Sequence, residues 1–112
     1  MDLRIFRLLS WIAIALLTVL LWTTAQAQNA GDPRAGLTLA RAWCTGCHIV
    51  EPAGRGGDSA PTFMEIANKK DRTPQTLRAW LTNPHPPMPN LNLSRAEIND
   101  IIVYLDSLQG QM

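Results

Sequence analysis

Hydrophobic and polar positions along the chain fall into two regimes. From Leu8 to Trp22 there is an uncharged apolar run of about 15 residues, set between the basic stub Met1 to Arg7 and the small, polar stretch Thr23-Thr24-Ala25-Gln26-Ala27. Beyond it, apolar residues recur at helical spacing. Asp32 followed by Pro33 reads as an N-cap and first helical residue, opening a helix through Leu37, Ala40 and Trp43 that runs into Cys44. Phe63, Met64, Ile66 and Ala67 predict a short helix ending near Asn68. Thr73-Pro74 opens another, with Leu77, Trp80 and Leu81 on one face and Asn83-Pro84 as its stop. Ser94 and Glu97 make a capping box for a last helix, in which Ile98, Ile101, Ile102, Leu105 and Leu108 form one apolar face. No run alternates with period two between hairpin turns, and no internal repeat is visible. The fold class is therefore all-α with long loops, and its helices are too few and too short to make a bundle core alone.

Two segments break the helical pattern. Ile49 to Pro61 carries Pro52, Gly54, Gly56, Gly57, Asp58, Ser59 and Pro61, a composition that cannot hold a regular element and reads as a wrapping loop. The glycines lack the Gly-Lys-Ser/Thr continuation of a phosphate loop. Pro84-His85-Pro86-Pro87-Met88-Pro89 has four prolines in six positions. Proline lacks the N–H donor and fixes φ, so this is an extended, stiff strap.

The N-terminal order of basic stub, apolar run and small residues is the anatomy of a secretory signal peptide, with Ala25 and Ala27 placed for cleavage after Ala27. This divides the chain into a signal segment, 1–27, and one domain, 28–112. The apolar run falls short of the roughly 20 residues that span a hydrocarbon core, which weighs against an uncleaved anchor. Arg4 and Arg7 are separated by two residues, so no twin-arginine signal is present. The expected location is the periplasm, with membrane attachment only if the segment is retained.

Charge narrows the partners. Loss of the signal removes Arg4, Arg7 and Asp2 from ten basic and nine acidic residues, leaving eight of each and a formal net charge of zero. Nothing in that balance suggests a nucleic-acid partner. Lys69, Lys70 and Arg72 form a short basic cluster that reads as a solvated turn between helices. A domain of this size buries only about 60 to 65% of its unfolded surface and needs a supplement to its core. The two cysteines lie within one four-residue span, which excludes a disulfide framework between distant segments.

Those cysteines sit in Cys44-Thr45-Gly46-Cys47-His48, the Cys-x-x-Cys-His signature of covalent c-type haem attachment. Two thiols three positions apart reach the two vinyl groups on one porphyrin edge, and the next residue brings its imidazole to the iron. Three other readings of these residues are weaker. A thioredoxin-like dithiol needs a βαβ context that is missing. A zinc site would have to combine Cys44, Cys47, His48 and His85 at an untypical spacing. A Cys44–Cys47 disulfide leaves His48 unexplained.

With these residues in place the chain resembles the small bacterial class I c-type cytochromes, from about Gly36 to Leu108. The resemblance rests on order: Gly36 eight residues before Cys44, the haem motif, the Gly-rich loop ending at Pro61, Met88 in the proline strap, and Tyr104 on a terminal apolar helix. It implies a cytochrome c-like fold of three to five short helices around one covalently bound haem, with the first and last helices crossing near Gly36 and Ile101. It also implies Met88 as the second axial ligand opposite His48, with His85 the competing candidate. Met64 packs as core, and Met112 lies at a terminus. The carbonyl of Pro61 is the implied acceptor from His48 Nδ1, with Pro52 as the alternative. Trp80 has two open readings, a donor to a haem propionate or plain core, and Arg55 and Arg78 are further candidates for the propionates. Ala40 departs from the pattern, since many members carry a large aromatic there; Trp43 is expected to fill that gap from another angle.

The function that follows is one-electron transfer, not catalysis, because filling both axial positions minimises rearrangement and keeps oxygen and peroxide off the metal. Redox proteins such as a dehydrogenase, an oxidase or a respiratory complex are the expected partners. Permanent attachment to a periplasmic dehydrogenase as its haem subunit is the alternative. A haem enzyme or gas sensor would need an open iron position.

Overall fold

The computed structural model describes residues 3–27 and 30–111, and among them the only regular elements are five α-helices. The chain divides into two units, Met1–Ala30 and Gly31–Met112. The first unit is α1, Leu3–Ala27, an unbroken helix of 25 residues. Its stretch Leu3–Trp22 is 20 residues long and apolar enough to cross a membrane, about 30 Å at 1.5 Å per residue. The helix begins before the uncharged run and takes in Arg4 and Arg7 on its first turns, which makes it longer than the run of about 15 residues; a signal sequence and an anchor both have this length and composition. The expected new N-terminus, Gln28, lies outside the described residues, as does Met112.

The second unit is built on α2 (Pro33–Trp43) and α5 (Arg95–Ser107), which pack along each other, with α3 (Phe63–Asn68) and α4 (Pro74–Thr82) packed more sparingly on α5. Each helix starts where its cap allows. Asp32 accepts from the Arg34 N–H at 2.8 Å, with Pro33 at the first helical position. Thr62 and Glu65 cap α3, Thr73 and Thr76 cap α4, and Ser94 and Glu97 cap α5, each pair exchanging side-chain and backbone bonds. The expected boundaries at Asn68, Asn83 and Ser94 are reproduced.

The core is the seam between α2 and α5 together with the faces of α3 and α4 turned to it. Ile98, Ile101, Ile102, Leu105 and Leu108 are all buried, at about 1.5–3 kcal/mol for each side chain removed from water. The two helices meet where α2 is smallest. A Cβ on Gly36 would lie 2.1 Å from the Asp100 carbonyl oxygen, so only glycine permits this approach. One turn on, Ala40 is fully buried at 0% exposure.

Three side chains differ from expectation. The close seam leaves no gap beside Ala40, and Trp43, expected to fill one, is 63% exposed at the end of α2. Trp80 is 40% exposed, so the apolar face of α4 is carried by buried Leu77 and half-buried Leu81 alone. Arg72 is not part of a solvated turn: its side chain is 5% exposed and paired with Asp106 of α5, while Lys69 and Lys70 are exposed. A guanidinium brings a long apolar stem that can lie against the core while its head meets a carboxylate.

Candidate haem-attachment site

The end of α2 delivers the motif. Cys44 caps the helix, its N–H bonded to the Ala40 carbonyl at 2.9 Å. The chain then makes one further turn, with the Cys47 and His48 N–H groups both donating to the Cys44 carbonyl at 3.2 and 2.9 Å. Thr45 ties the turn back through its hydroxyl to the Arg41 carbonyl at 3.0 Å. The two thiols are unbridged, Cys44 buried and Cys47 exposed. Burial pushes the Cys44 thiol above its ordinary pKa, and the neighbouring Cys47 adds to the shift.

The loop after the motif folds back over it. The Gly57 N–H donates to the Thr45 carbonyl at 2.9 Å and the Ala60 N–H to the Cys47 carbonyl at 3.1 Å. Gly56 and Gly57 lie so close that a Cβ would come within 2.3 Å of the His48 and Gly46 carbonyl oxygens respectively. What reads in sequence as loop glycine is thus the lining of the motif's outer side. The same return places Pro61 beside the imidazole, with His48 Nδ1 2.6 Å from the Pro61 carbonyl oxygen. A carbonyl can only accept, so Nδ1 carries the proton and Nε2 is the nitrogen left with a free lone pair. Pro52, the alternative acceptor, is exposed on the same loop and has no such contact.

Further bonds hold the segment that leaves the motif. Arg41 meets Glu51 with two parallel hydrogen bonds, Nε to Oε1 at 2.8 Å and Nη2 to Oε2 at 2.6 Å. The pairing holds the Glu51 carboxyl below the usual carboxylate range. The buried Tyr104 hydroxyl of α5 donates to the Val50 carbonyl at 2.7 Å. Phe63, at the start of α3, donates its N–H to the Ile49 carbonyl at 2.9 Å and sets its ring edge-to-face with His48, centroids 5.5 Å apart.

Cys44, Cys47, His48 and Pro61 are therefore brought together, on α2 and the loop that follows it. Trp80 and Met88 stand on α4 and the strap beyond. The Trp80 indole N–H has no hydrogen-bond partner among the described residues, and its ring meets His85 at 6.4 Å, tilted 62°. The strap turns at His85–Met88, where the Met88 N–H donates to the His85 carbonyl at 2.9 Å across a cis Pro86–Pro87 bond. Met88 is half-buried and His85 exposed, as are Arg55 and Arg78. Met64 is buried core.

The donor set fits a covalently held haem. It offers two free thiols three positions apart and an imidazole whose other nitrogen is already engaged, as a metal-bound histidine requires. Among the described residues no three or more His, Cys, Asp and Glu side chains are grouped as a bare metal ion would need. Sequence reasoning missed Phe63, Tyr104 as a hydrogen-bond donor, and the Arg41–Glu51 pair. Phe63 had a signal, standing two residues after Pro61 and therefore on the stretch that returns to His48.

The chain is 40% identical over 82 residues to cytochrome c-552 of Bradyrhizobium diazoefficiens, a match that takes in 71% of this chain and 78% of that protein. No protein-family profile matches the chain. No solved structure matches it either.

Proposed function

The chain belongs to the c-type cytochromes, electron-transfer proteins with covalently bound haem c, and from that premise we propose that it is a periplasmic one-electron carrier whose iron is ligated by His48 and Met88. Haem supplies the one-electron couple between ferrous and ferric iron. Cys44 and Cys47 provide the thioether attachment, and His48 ligates through Nε2. The observation that carries this reading is the 2.6 Å contact of His48 Nδ1 with the Pro61 carbonyl, which selects the tautomer that leaves Nε2 free for iron. Met88 is supported by its half-buried place in the proline strap, where restricted freedom of the unfolded segment favours a weak sulfur ligand staying bound. Trp80, with its indole N–H unpartnered and its ring partly exposed, suits a donor to a haem propionate better than core.

A haem-stained denaturing gel followed by an optical redox titration tests this. Covalent stain, a single one-electron wave and slow carbon monoxide binding to the reduced protein at neutral pH are expected. A gel without stain overturns haem attachment, and rapid carbon monoxide binding overturns the six-coordinate carrier in favour of an open iron site.

For localisation, cleavage after Ala27 releases the domain into the periplasm. The length of Leu3–Trp22 is also compatible with a second reading, a retained anchor with Arg4 and Arg7 on the cytoplasmic side and the domain in the periplasm. Intact-mass measurement separates them: a mature start at Gln28 supports release, and a retained N-terminus supports the anchor.

A further inference from the structure

His48 is held by one hydrogen bond, and one hydrogen bond leaves a planar ring free to rock about its own contact point. The second contact is Phe63. Its ring lies 5.5 Å from the imidazole at 68°, an edge-to-face arrangement that obstructs one sweep of the ring. Phe63 is itself fixed by three contacts: its N–H is bonded to the Ile49 carbonyl, it starts α3 behind the Thr62 cap, and its ring also meets Tyr104 of α5 at 6.3 Å and 47°. Being buried, it has no freedom to move aside.

We propose that Phe63 is a positioning residue that sets the rotational angle of the His48 imidazole about its bond to iron, and that it transmits the packing of α5 to that ligand. The proposal rests on the reading of His48 as axial ligand. The plane of an axial imidazole governs how the iron d orbitals split, so a ring held at one angle gives one electronic structure and one potential. A ring free to rock gives a spread of both. Phe63 has an apolar side chain with no atom that could ligate iron, so its effect on the metal passes through the histidine it packs against.

Electron paramagnetic resonance of the ferric protein reads that angle directly in its g values. Phe63→Leu and Phe63→Met keep an apolar side chain of similar reach but remove the flat edge, and both are expected to shift or broaden the g values with covalent haem retained. Leu77→Ala opens the buried face of α4, a helix that carries neither His48 nor Phe63. It is expected to lower thermal stability and leave the g values at those of the unaltered protein. Unchanged g values in both Phe63 variants, or an equal shift in Leu77→Ala, overturn the proposal. Failure of both Phe63 variants to take up haem while Leu77→Ala does so would make Phe63 a folding residue and overturn it as well. If the unaltered protein carries no covalent haem, or its spectrum lacks histidine ligation, the reading of His48 fails first and takes this one with it.

Discussion

Tyr104 of α5 donates its hydroxyl to the carbonyl of Val50, 54 positions away in sequence and 2.7 Å away in space. Val50 is fully buried and stands two residues beyond His48. The last helix is thereby fastened to the strand of chain that leaves the haem motif, beside the Arg41–Glu51 pair that fastens the same segment to α2.

Tyr104→Phe keeps the ring and its packing against Phe63 but leaves a buried carbonyl without its donor. Such a loss costs about 1–3 kcal/mol. Chemical denaturation of the haem-loaded protein should show a lower midpoint with an unchanged slope, and haem content should be unaltered. A loss within error would show that the carbonyl finds another donor and that the bond does not secure the segment.

Gly36→Ala places a methyl group where the Asp100 carbonyl oxygen would be 2.1 Å away and its carbon 2.6 Å away. Both are backbone atoms and cannot swing aside, so α2 and α5 must separate. Overpacking of this kind costs about 1–3 kcal/mol, at times more, against which the helix propensity gained by alanine recovers at most about 1. Thermal unfolding should report a clear net loss; a variant as stable as the parent would mean the seam is looser than its geometry indicates.

How far the sequence disclosed this arrangement depends on the range of each interaction. Caps are local, and Asp32, Thr73 and Ser94 announce the starts of α2, α4 and α5 within four residues of chain. The motif is local as well. What could not be read are contacts whose partners are distant: Arg72 looks like surface charge until Asp106 is found beside it, and Trp43 looks like core until Ala40 is seen to be sealed without it. Gly56 and Gly57 look like flexible loop because their constraint, the carbonyls of His48 and Gly46, appears only when the chain has turned back. Pro61 was legible only by resemblance, since nothing in a proline predicts which imidazole its carbonyl will meet.

Met88→Ala removes the thioether proposed as second ligand. The weak long-wavelength absorption of ferric iron bound to thioether sulfur should vanish. The potential should fall by an amount on the order of 100 mV, within the roughly 0.8 V that axial ligation spans. His85→Ala, three residues away on the same strap and in contact with Trp80, should keep both properties. Retention of the band in Met88→Ala would move the sulfur ligand to another methionine, and absence of the band from the unaltered protein with a potential altered only in His85→Ala would assign the position to His85.

The two capping glutamates make stability depend on acid. The carboxyl of Glu65 is held below its usual range first by the Thr62 backbone N–H and then by the Thr62 hydroxyl, and Glu97 likewise by the N–H and hydroxyl of Ser94. A carboxyl whose pKa is lowered on folding binds fewer protons in the folded state than in the unfolded one. Its contribution is therefore complete above the unfolded pKa, about 4.3 for glutamate, and is lost as pH falls from there through the folded value. Glutamine at the same positions can still close a capping box but cannot titrate. Thermal unfolding followed from pH 7 to pH 3 should thus show a steep acid limb in the unaltered protein and a shallower one in Glu65→Gln/Glu97→Gln. The variant should be the less stable of the two at pH 7, where the charged caps also face the positive ends of their helices. Glu65 is exposed and Glu97 half-buried, so neither is shielded from solvent and added salt should narrow the difference between the two curves. Parallel curves would place the acid sensitivity elsewhere, with the Arg41–Glu51 pair the next to test, since Glu51 is lowered in the same direction by the Arg41 hydrogen bonds.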